Sequence, residues 1–207
     1  MMVELGRMKR QTIEELCKEN NEVLVRGAVD GTIGRVWVPQ LGNSSYCLIV
    51  VGDFAYLMGL PPKGEWALDL KTKIYQSAPR AYIYPQNGRW EDWLEEEFMG
   101  QTRLVSRYAL RKDEHHFDSG LLKQYIESVP KGIRIKRIDG RLYHQALKEE
   151  WSRDLCANFE DEKHFQEKGF GYVALKGREL VAGCSAYGAS EGMMEIEVDT
   201  RDRKSVV

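Results

Sequence analysis

Cysteine is scarce in this chain of 207 residues, and the few cysteines present have no metal-binding or disulfide spacing. They are far apart and form no Cys-x-x-Cys pair: Cys17, Cys47, Cys156 and Cys184. A disulfide framework or a zinc site usually shows regularly or closely spaced cysteines, so this spacing argues against both. We expect reduced thiols, as in a cytoplasmic protein.

Long apolar stretches are also lacking. The longest, residues 47–51, has the length of a strand and falls well short of the roughly 20 apolar residues that a membrane-spanning helix needs. The first residues are polar and charged, without the apolar segment of a secretory signal. The sequence therefore predicts no membrane partner.

Neither sign of charge dominates the composition. The chain has 30 basic and 32 acidic residues, which gives a formal net charge of -2. Proteins that bind nucleic acids usually carry a basic face, so this balance argues against nucleic acid as the main partner. Hydrophobic residues make up 43% of the chain, enough for a core of ordinary size.

The first part of the chain, residues 1–130, is predicted to be a mixed α/β region. Residues 12–20 favour a short helix, with Thr12 and Glu15 placed as a capping box. Residues 46–51 form a continuous apolar run, which is typical of a strand buried on both faces. A Gly-Asp turn would then bring residues 54–60 back to pair with that strand.

Three later segments of this region have recognisable patterns, two helical and one extended. Residues 89–99 have helical periodicity and place several aromatic side chains on one stripe, a pattern that indicates core packing more often than a ligand platform. Residues 102–111 alternate and are predicted to form a strand. Asp118 is the predicted N-cap of an amphipathic helix that ends near the boundary between the two parts, at residues 129–132.

The second part, residues 131–207, has a distinct order of elements. The predicted elements are, in order, a strand at residues 133–138, a helix from Asp139 to about residue 151 and a second helix at residues 159–168. Three strands follow, at residues 171–175, 180–187 and 193–198. A polar turn with Gly177 joins the first two of the last three strands, which indicates a hairpin. The predicted fold class is therefore α+β or α/β, with a mixed and mainly antiparallel sheet in the second part.

This order resembles the opening of the GNAT acetyltransferase fold, in the two-part bacterial kind that has an α/β region before the transferase region. Five segments carry the resemblance: residues 51–61 (Val-Gly-Asp-Phe-Ala-Tyr-Leu-Met-Gly-Leu-Pro), 138–143 (Ile-Asp-Gly-Arg-Leu-Tyr), 162–171, 182–187 (Ala-Gly-Cys-Ser-Ala-Tyr) and 195–200 (Glu-Ile-Glu-Val-Asp-Thr). Each segment is weakly specific alone, and their shared order and spacing make the match. The resemblance covers nearly the whole chain.

The resemblance implies transfer of an acetyl group from acetyl-CoA, as co-substrate, to an amine of a small molecule or a protein. In the family, a carboxylate on the strand at residues 193–198 commonly acts as general base, because an ammonium cannot attack a thioester. Glu195 and Glu197 are therefore the catalytic candidates, with Asp199 behind them. The alternative is that these carboxylates form a solvated strand face.

The resemblance also implies which residues meet the cofactor. Backbone groups of the same strand would hold the pantetheine arm and stabilise an oxyanion, and the residues after it would meet the diphosphate. The residues implied are Ile196, Val198, Asp199, Thr200, Arg201 and Arg203.

The last residues depart from the family pattern. The family has a loop close to Arg-x-x-Gly-x-Ala followed by a helix, whereas residues 200–207 here contain basic residues but no glycine. We therefore expect a chain cut off before the diphosphate loop, with the strand at 193–198 at an exposed sheet edge that could pair with a second copy. Two hypotheses stay open: an N-acetyltransferase, or a non-catalytic remnant or binding module that retains the N-terminal fold.

One further segment could suggest a metal site. Residues 113–118 contain two adjacent histidines between acidic residues. A metal site needs ligands that converge in space, and adjacency alone does not provide this. We predict a solvated loop here and no metal.

Overall fold

The computed structural model describes residues 1–42, 44–108 and 117–202, which form two sheets with helices packed on them. The strands are β1 (Val3–Glu4), β2 (Arg35–Val38), β3 (Tyr46–Val51), β4 (Phe54–Gly59), β5 (Tyr82–Pro85), β6 (Ile133–Arg137), β7 (Gly171–Lys176), β8 (Glu179–Ser190) and β9 (Met193–Thr200). The helices are α1 (Glu14–Cys17), α2 (Val23–Val29), α3 (Glu65–Ser77), α4 (Gly88–Phe98), α5 (Ser119–Glu127), α6 (Gly140–Ala146) and α7 (Glu162–Lys168). Arg7–Ile13 and Glu150–Leu155 are 3-10 helices.

The first sheet has the order β1-β2-β3-β4-β5. Its strands pair antiparallel except β4 and β5, which are parallel. Every residue of β3 is buried, which confirms the prediction drawn from its continuous apolar run. The tight turn to β4 contains Gly52 at a φ of 52°, a conformation that glycine adopts at little cost.

The aromatic stripe of α4 lies in a core under this sheet. Trp90 is fully buried, and its indole N–H donates to the Gly59 carbonyl at 2.9 Å. Trp93 packs edge-on against Trp90 and donates to the Pro62 carbonyl at 3.0 Å. The predicted core role of this stripe is therefore confirmed.

Two predictions for the first region are wrong. Thr12 caps no helix: it lies within the 3-10 helix Arg7–Ile13, and its hydroxyl donates to the Lys9 carbonyl at 2.7 Å. Residues 102–108 form no strand, and Leu104 is 95% exposed. Alternation creates a strand only where a sheet edge offers partners for the backbone, and this segment has none among the described residues. Residues 109–111 lie outside the described part.

The helix predicted after Asp118 is present as α5. The Asp118 carboxylate accepts hydrogen bonds from the backbone N–H groups of Gly120 and Leu121, at 2.7 and 3.1 Å. The rest of the segment that suggested a metal site, residues 113–116, lies outside the described residues.

The second sheet is antiparallel throughout, with the order β6-β7-β8-β9. The predicted order of strand, helix, helix and three strands is confirmed, although α6 ends at Ala146 and a 3-10 helix precedes α7. Strand β8 contains a bulge at Tyr187, where its pairing with β9 shifts by one residue. A bulge of this kind bends the strand and increases its twist.

The two sheets share one hydrophobic core. One cluster of buried side chains includes Val25 and Tyr56 from the first region with Leu142, Phe165 and Ala186 from the second. The chain passes from one sheet to the other between α5 and β6. The predicted domain boundary at residues 129–132 stays a prediction.

Glycine permits a close contact between the two regions where α2 lies on β8. A Cβ at Gly27 would stand 2.3 Å from the Ala189 carbonyl oxygen, and one at Gly188 would stand 2.3 Å from Leu24 Cδ2. A real Cβ does not approach a backbone oxygen this closely. The helix can therefore approach the strand only because both positions lack a side chain.

We expect Gly27→Ala to lower the free energy of unfolding by about 1–3 kcal/mol, because the added methyl group forces α2 away from the Ala189 backbone. The better helix propensity of alanine, about 1 kcal/mol, offsets only part of that cost. Urea unfolding followed by tryptophan fluorescence measures the change. Gly6→Ala is the control, since among the described residues no atom beyond Gly6 and its two chain neighbours lies within 4 Å of the place its methyl group would take. Equal midpoints for the two variants would contradict the close contact.

Candidate functional site

Strand β9 lies at the edge of the second sheet, with no further strand beside it among the described residues. In an antiparallel pair, the backbone N–H and C=O groups of successive residues point alternately toward and away from the neighbouring strand. On β9, those of Ile196, Val198 and Thr200 point away from β8. The Thr200 N–H donates to the Asp199 carboxylate at 2.8 Å. This edge therefore presents backbone donors and acceptors to whatever lies beside it.

Glu197 is a half-buried carboxylate on this strand. Burial raises its pKa to about 7, and the negative charges of Asp154, Asp199 and Asp53 act in the same direction. A hydrogen bond from the Val198 backbone N–H opposes the shift. Glu197 therefore changes its charge close to neutral pH.

The acidic neighbours of Glu197 come from different elements. Asp154 lies in the 3-10 helix Glu150–Leu155, which is fixed to β8 because the Ser185 hydroxyl donates to the Leu155 carbonyl at 2.6 Å. Ser185 pairs with Glu197 across the strands, so this bond holds Asp154 beside β9. Burial raises the pKa of Asp154, with further contributions from Asp53 and Asp199. We call Asp53, Asp154, Glu197 and Asp199 the acidic junction.

Tyr187, at the bulge of β8, connects the junction to the first sheet. Its hydroxyl accepts a hydrogen bond from the Asp53 backbone N–H at 3.0 Å. The Asn158 side chain donates to the Tyr187 carbonyl at 3.0 Å. A Cβ at Gly52 would lie 2.1 Å from the Tyr187 hydroxyl oxygen, so the turn fits only with glycine there. This contact sets where Asp53 lies relative to β9.

Aromatic side chains from β4 and β5 lie next to the junction. The parallel register pairs Phe54 with Tyr82 and Tyr56 with Tyr84, so one face carries four rings. The rings of each pair are stacked, with centroids 5.8 and 5.1 Å apart. Phe54 also meets Tyr187 edge-on at 5.7 Å. We call Phe54, Tyr56, Tyr82 and Tyr84 the aromatic row.

The other residues implied by the resemblance are spread along the end of β9. Glu195 lies close enough to Tyr56 for its charge to raise the pKa of that phenol, a shift that burial dominates. Ile196 and Val198 are 61% and 58% exposed. The Arg201 guanidinium donates to the Glu179 carboxylate at 2.9 Å. Arg203 lies outside the described residues.

Several residues of this site were not predicted from the sequence. Asp53 and Asp154 lie in a turn and a 3-10 helix, where an acidic residue carries no distinctive signal. The aromatic row has a signal, since Phe54 and Tyr56, like Tyr82 and Tyr84, are two positions apart on a strand and so share one face. That signal becomes informative only once β4 and β5 are known to be neighbours.

Two other classes of site are absent from the described residues. No group of His, Cys, Asp or Glu side chains there is arranged to hold a metal ion. In the same part of the chain, no helix combines the length and the apolar character that crossing a membrane requires.

A family model described as GNAT acetyltransferase matches residues 14–205. The chain belongs to the GNAT acetyltransferase family. It is therefore an acyltransferase, and the fold class and family predicted from the sequence are confirmed.

A solved structure is similar to this GNAT chain over almost its full length. It is the crystal structure at 1.80 Å resolution of a GCN5-related N-acetyltransferase-like protein from Streptococcus suis 89/1591. The two chains are 32% identical with a TM-score of 0.81, and the match covers 97% of this chain and 80% of that one. No curated protein matches the chain.

Proposed function

We propose that this GNAT protein is a cytoplasmic N-acetyltransferase that moves an acetyl group from acetyl-CoA to an amine, with Glu197 as general base. The observation that carries the proposal is the position of Glu197: a half-buried carboxylate, surrounded by other acidic groups, on an edge strand with outward-facing backbone groups. This arrangement places a proton acceptor beside a surface that can hold an extended ligand.

The open edge of β9 fits the cofactor that the family uses. The pantetheine arm contains amides and apolar carbons, which match the outward-facing backbone groups and the exposed side chains of Ile196 and Val198. When bound, acetyl-CoA supplies a thioester as the acyl donor. We propose that Asp199, Thr200 and Arg201 lie nearest to its diphosphate end, together with Arg203.

The protonation of Glu197 suits the reaction. An alkyl ammonium has no lone pair and must lose a proton before it can attack a carbonyl carbon. Glu197 is about half ionised near pH 7, so it can accept that proton directly or through a water molecule. The Val198 N–H donates a hydrogen bond to this carboxylate, which favours its ionised form and so keeps it able to accept the proton.

Calorimetry with acetyl-CoA tests the first requirement of this function. We expect saturable binding of the cofactor by the 207-residue chain, and release of free CoA thiol when amines are added. The dye-coupled thiol assay measures that release, with heat-unfolded protein as the control for spontaneous hydrolysis. Absence of binding at millimolar acetyl-CoA would contradict the proposal.

A further inference from the structure

The aromatic row already holds a positively charged group of the chain itself. The Arg107 guanidinium lies 4.8 Å from the centre of the Phe54 ring. It also donates a hydrogen bond to the Tyr84 hydroxyl at 3.0 Å. A cation over a ring face with a hydroxyl acceptor beside it is a recognised arrangement for binding ammonium and guanidinium groups.

Arg107 makes contacts that a neighbouring arginine of the same segment does not make. Arg103 belongs to the same exposed segment and makes no hydrogen bond or ring contact with the described residues. Arg107 and Glu195 both lie close enough to Tyr56 for their charges to act on its hydroxyl. The guanidinium and the Glu195 carboxylate of β9 therefore both act on the aromatic row, at Tyr56.

The surroundings would favour a positive charge from a ligand as well. Asp53 lies directly before Phe54 in the turn, and its N–H is held by Tyr187, whose ring also packs on Phe54. Acidic groups and ring faces thus come together at one place, from both sheets. An amine that carries a second cation can place one charge near Glu197 and the other over the aromatic row.

We propose that the aromatic row and the acidic junction form an acceptor site for an amine that carries a second positive charge, and that Arg107 occupies the place of that second charge in the free protein. This inference rests on the proposed acetyl transfer. Binding of the acceptor displaces the Arg107 side chain, which is on the exposed segment and can move into solvent. The acceptor chemistry is a dicationic amine, whether a free diamine or a lysine beside another basic residue in a peptide.

Cadaverine and pentylamine provide the matched comparison, because they share the same carbon chain and differ by one ammonium. We expect kcat/KM about tenfold higher for cadaverine, mainly through KM, as a single cation–ring contact contributes about that factor. Phe54→Leu should remove most of this preference. Arg107→Met should lower KM for cadaverine several-fold, because the competing guanidinium is gone, whereas Arg103→Met should leave it unchanged.

Equal use of the two amines, or an Arg107→Met variant with an unchanged or raised KM for cadaverine, would overturn the inference. If no amine releases CoA, the proposed function fails, and calorimetric binding of cadaverine against pentylamine still tests the charge preference. A peptide with adjacent lysine and arginine forms a third arm. A higher kcat/KM for the peptide than for cadaverine identifies a protein acceptor, and a lower one identifies a free diamine, both in agreement with a dicationic site.

Discussion

Replacing Glu197 with glutamine should lower kcat by about 10²–10⁴-fold, the usual loss when a general base is removed. The amide keeps the shape of the side chain but cannot accept the proton of an attacking ammonium. Acetyl-CoA affinity should stay unchanged, because the proposed cofactor contacts are backbone groups of the same strand. In the unmodified enzyme, kcat/KM should rise with pH through about 7, as Glu197 ionises.

Glu195→Gln is the matched control, with the same chemical change on the same strand. We expect it to lower kcat by less than about tenfold, since Glu195 lies next to Tyr56 rather than in the acidic junction. A large loss in the Glu195 variant with a small one in the Glu197 variant would assign the base to Glu195 instead.

Glu197→Gln should also make the protein more stable at alkaline pH. The folded state raises the pKa of Glu197 from its ordinary 4.5 to about 7, so between these values the folded chain binds more protons than the unfolded one. Stability therefore falls as pH rises through that window. After allowance for solvent screening of a half-exposed group, Glu197→Gln should gain about 1 kcal/mol at pH 8 and little at pH 4. Urea unfolding at both pH values measures this, and no gain at pH 8 would contradict it.

Replacing Arg10 with methionine should lower the free energy of unfolding by about 3–5 kcal/mol, because several hydrogen bonds to a buried cation are lost together. Arg10 is 4% exposed. Its guanidinium donates to the carbonyls of Ala28 at 3.1 Å, Ile33 at 2.8 Å and Gly34 at 2.8 Å. Methionine fills much of the same space but leaves those carbonyls without a partner.

Arg7→Met is the control for this change. Arg7 is on the same 3-10 helix, but it is exposed, and within the described part of the chain its side chain makes a surface ion pair with Glu160 at 2.7 Å. Such pairs contribute at most about 1 kcal/mol. Thermal and urea unfolding should therefore separate the two variants clearly, and equal losses would show that the buried contacts of Arg10 are not what stabilises the region.

The sequence predicted those elements whose burial can be read from the pattern of apolar residues within the element itself. The continuous apolar run of β3 and the aromatic stripe of α4 each determine one buried surface by themselves. The residues of α2 were not predicted as a helix, because Val23, Val25 and Val29 favour strands. Packing on β8 overrides that preference, and the contact depends on glycines that are distant in the sequence.

The candidate site was predictable only in part for a related reason. The family resemblance implied Glu195 and Glu197 as candidates, and both carboxylates lie on β9. Nothing in the order of residues showed that the turn at Asp53 reaches β9, since that depends on the hydroxyl of Tyr187 at a bulge. Arg107 was missed because its significance lies entirely in the rings it contacts.

The hydrogen bond between Tyr187 and Asp53 also determines which changes of sequence this protein can tolerate. It fixes the position of the aromatic row relative to β9, the strand that carries the acidic residues. These two surfaces come from distant parts of the sequence. Substitutions in β4 and β5 can therefore change the proposed amine preference while the proposed general base on β9 stays in place. A substitution at Gly52 should be tolerated far less well than one in the rings, because any side chain there would push the two surfaces apart.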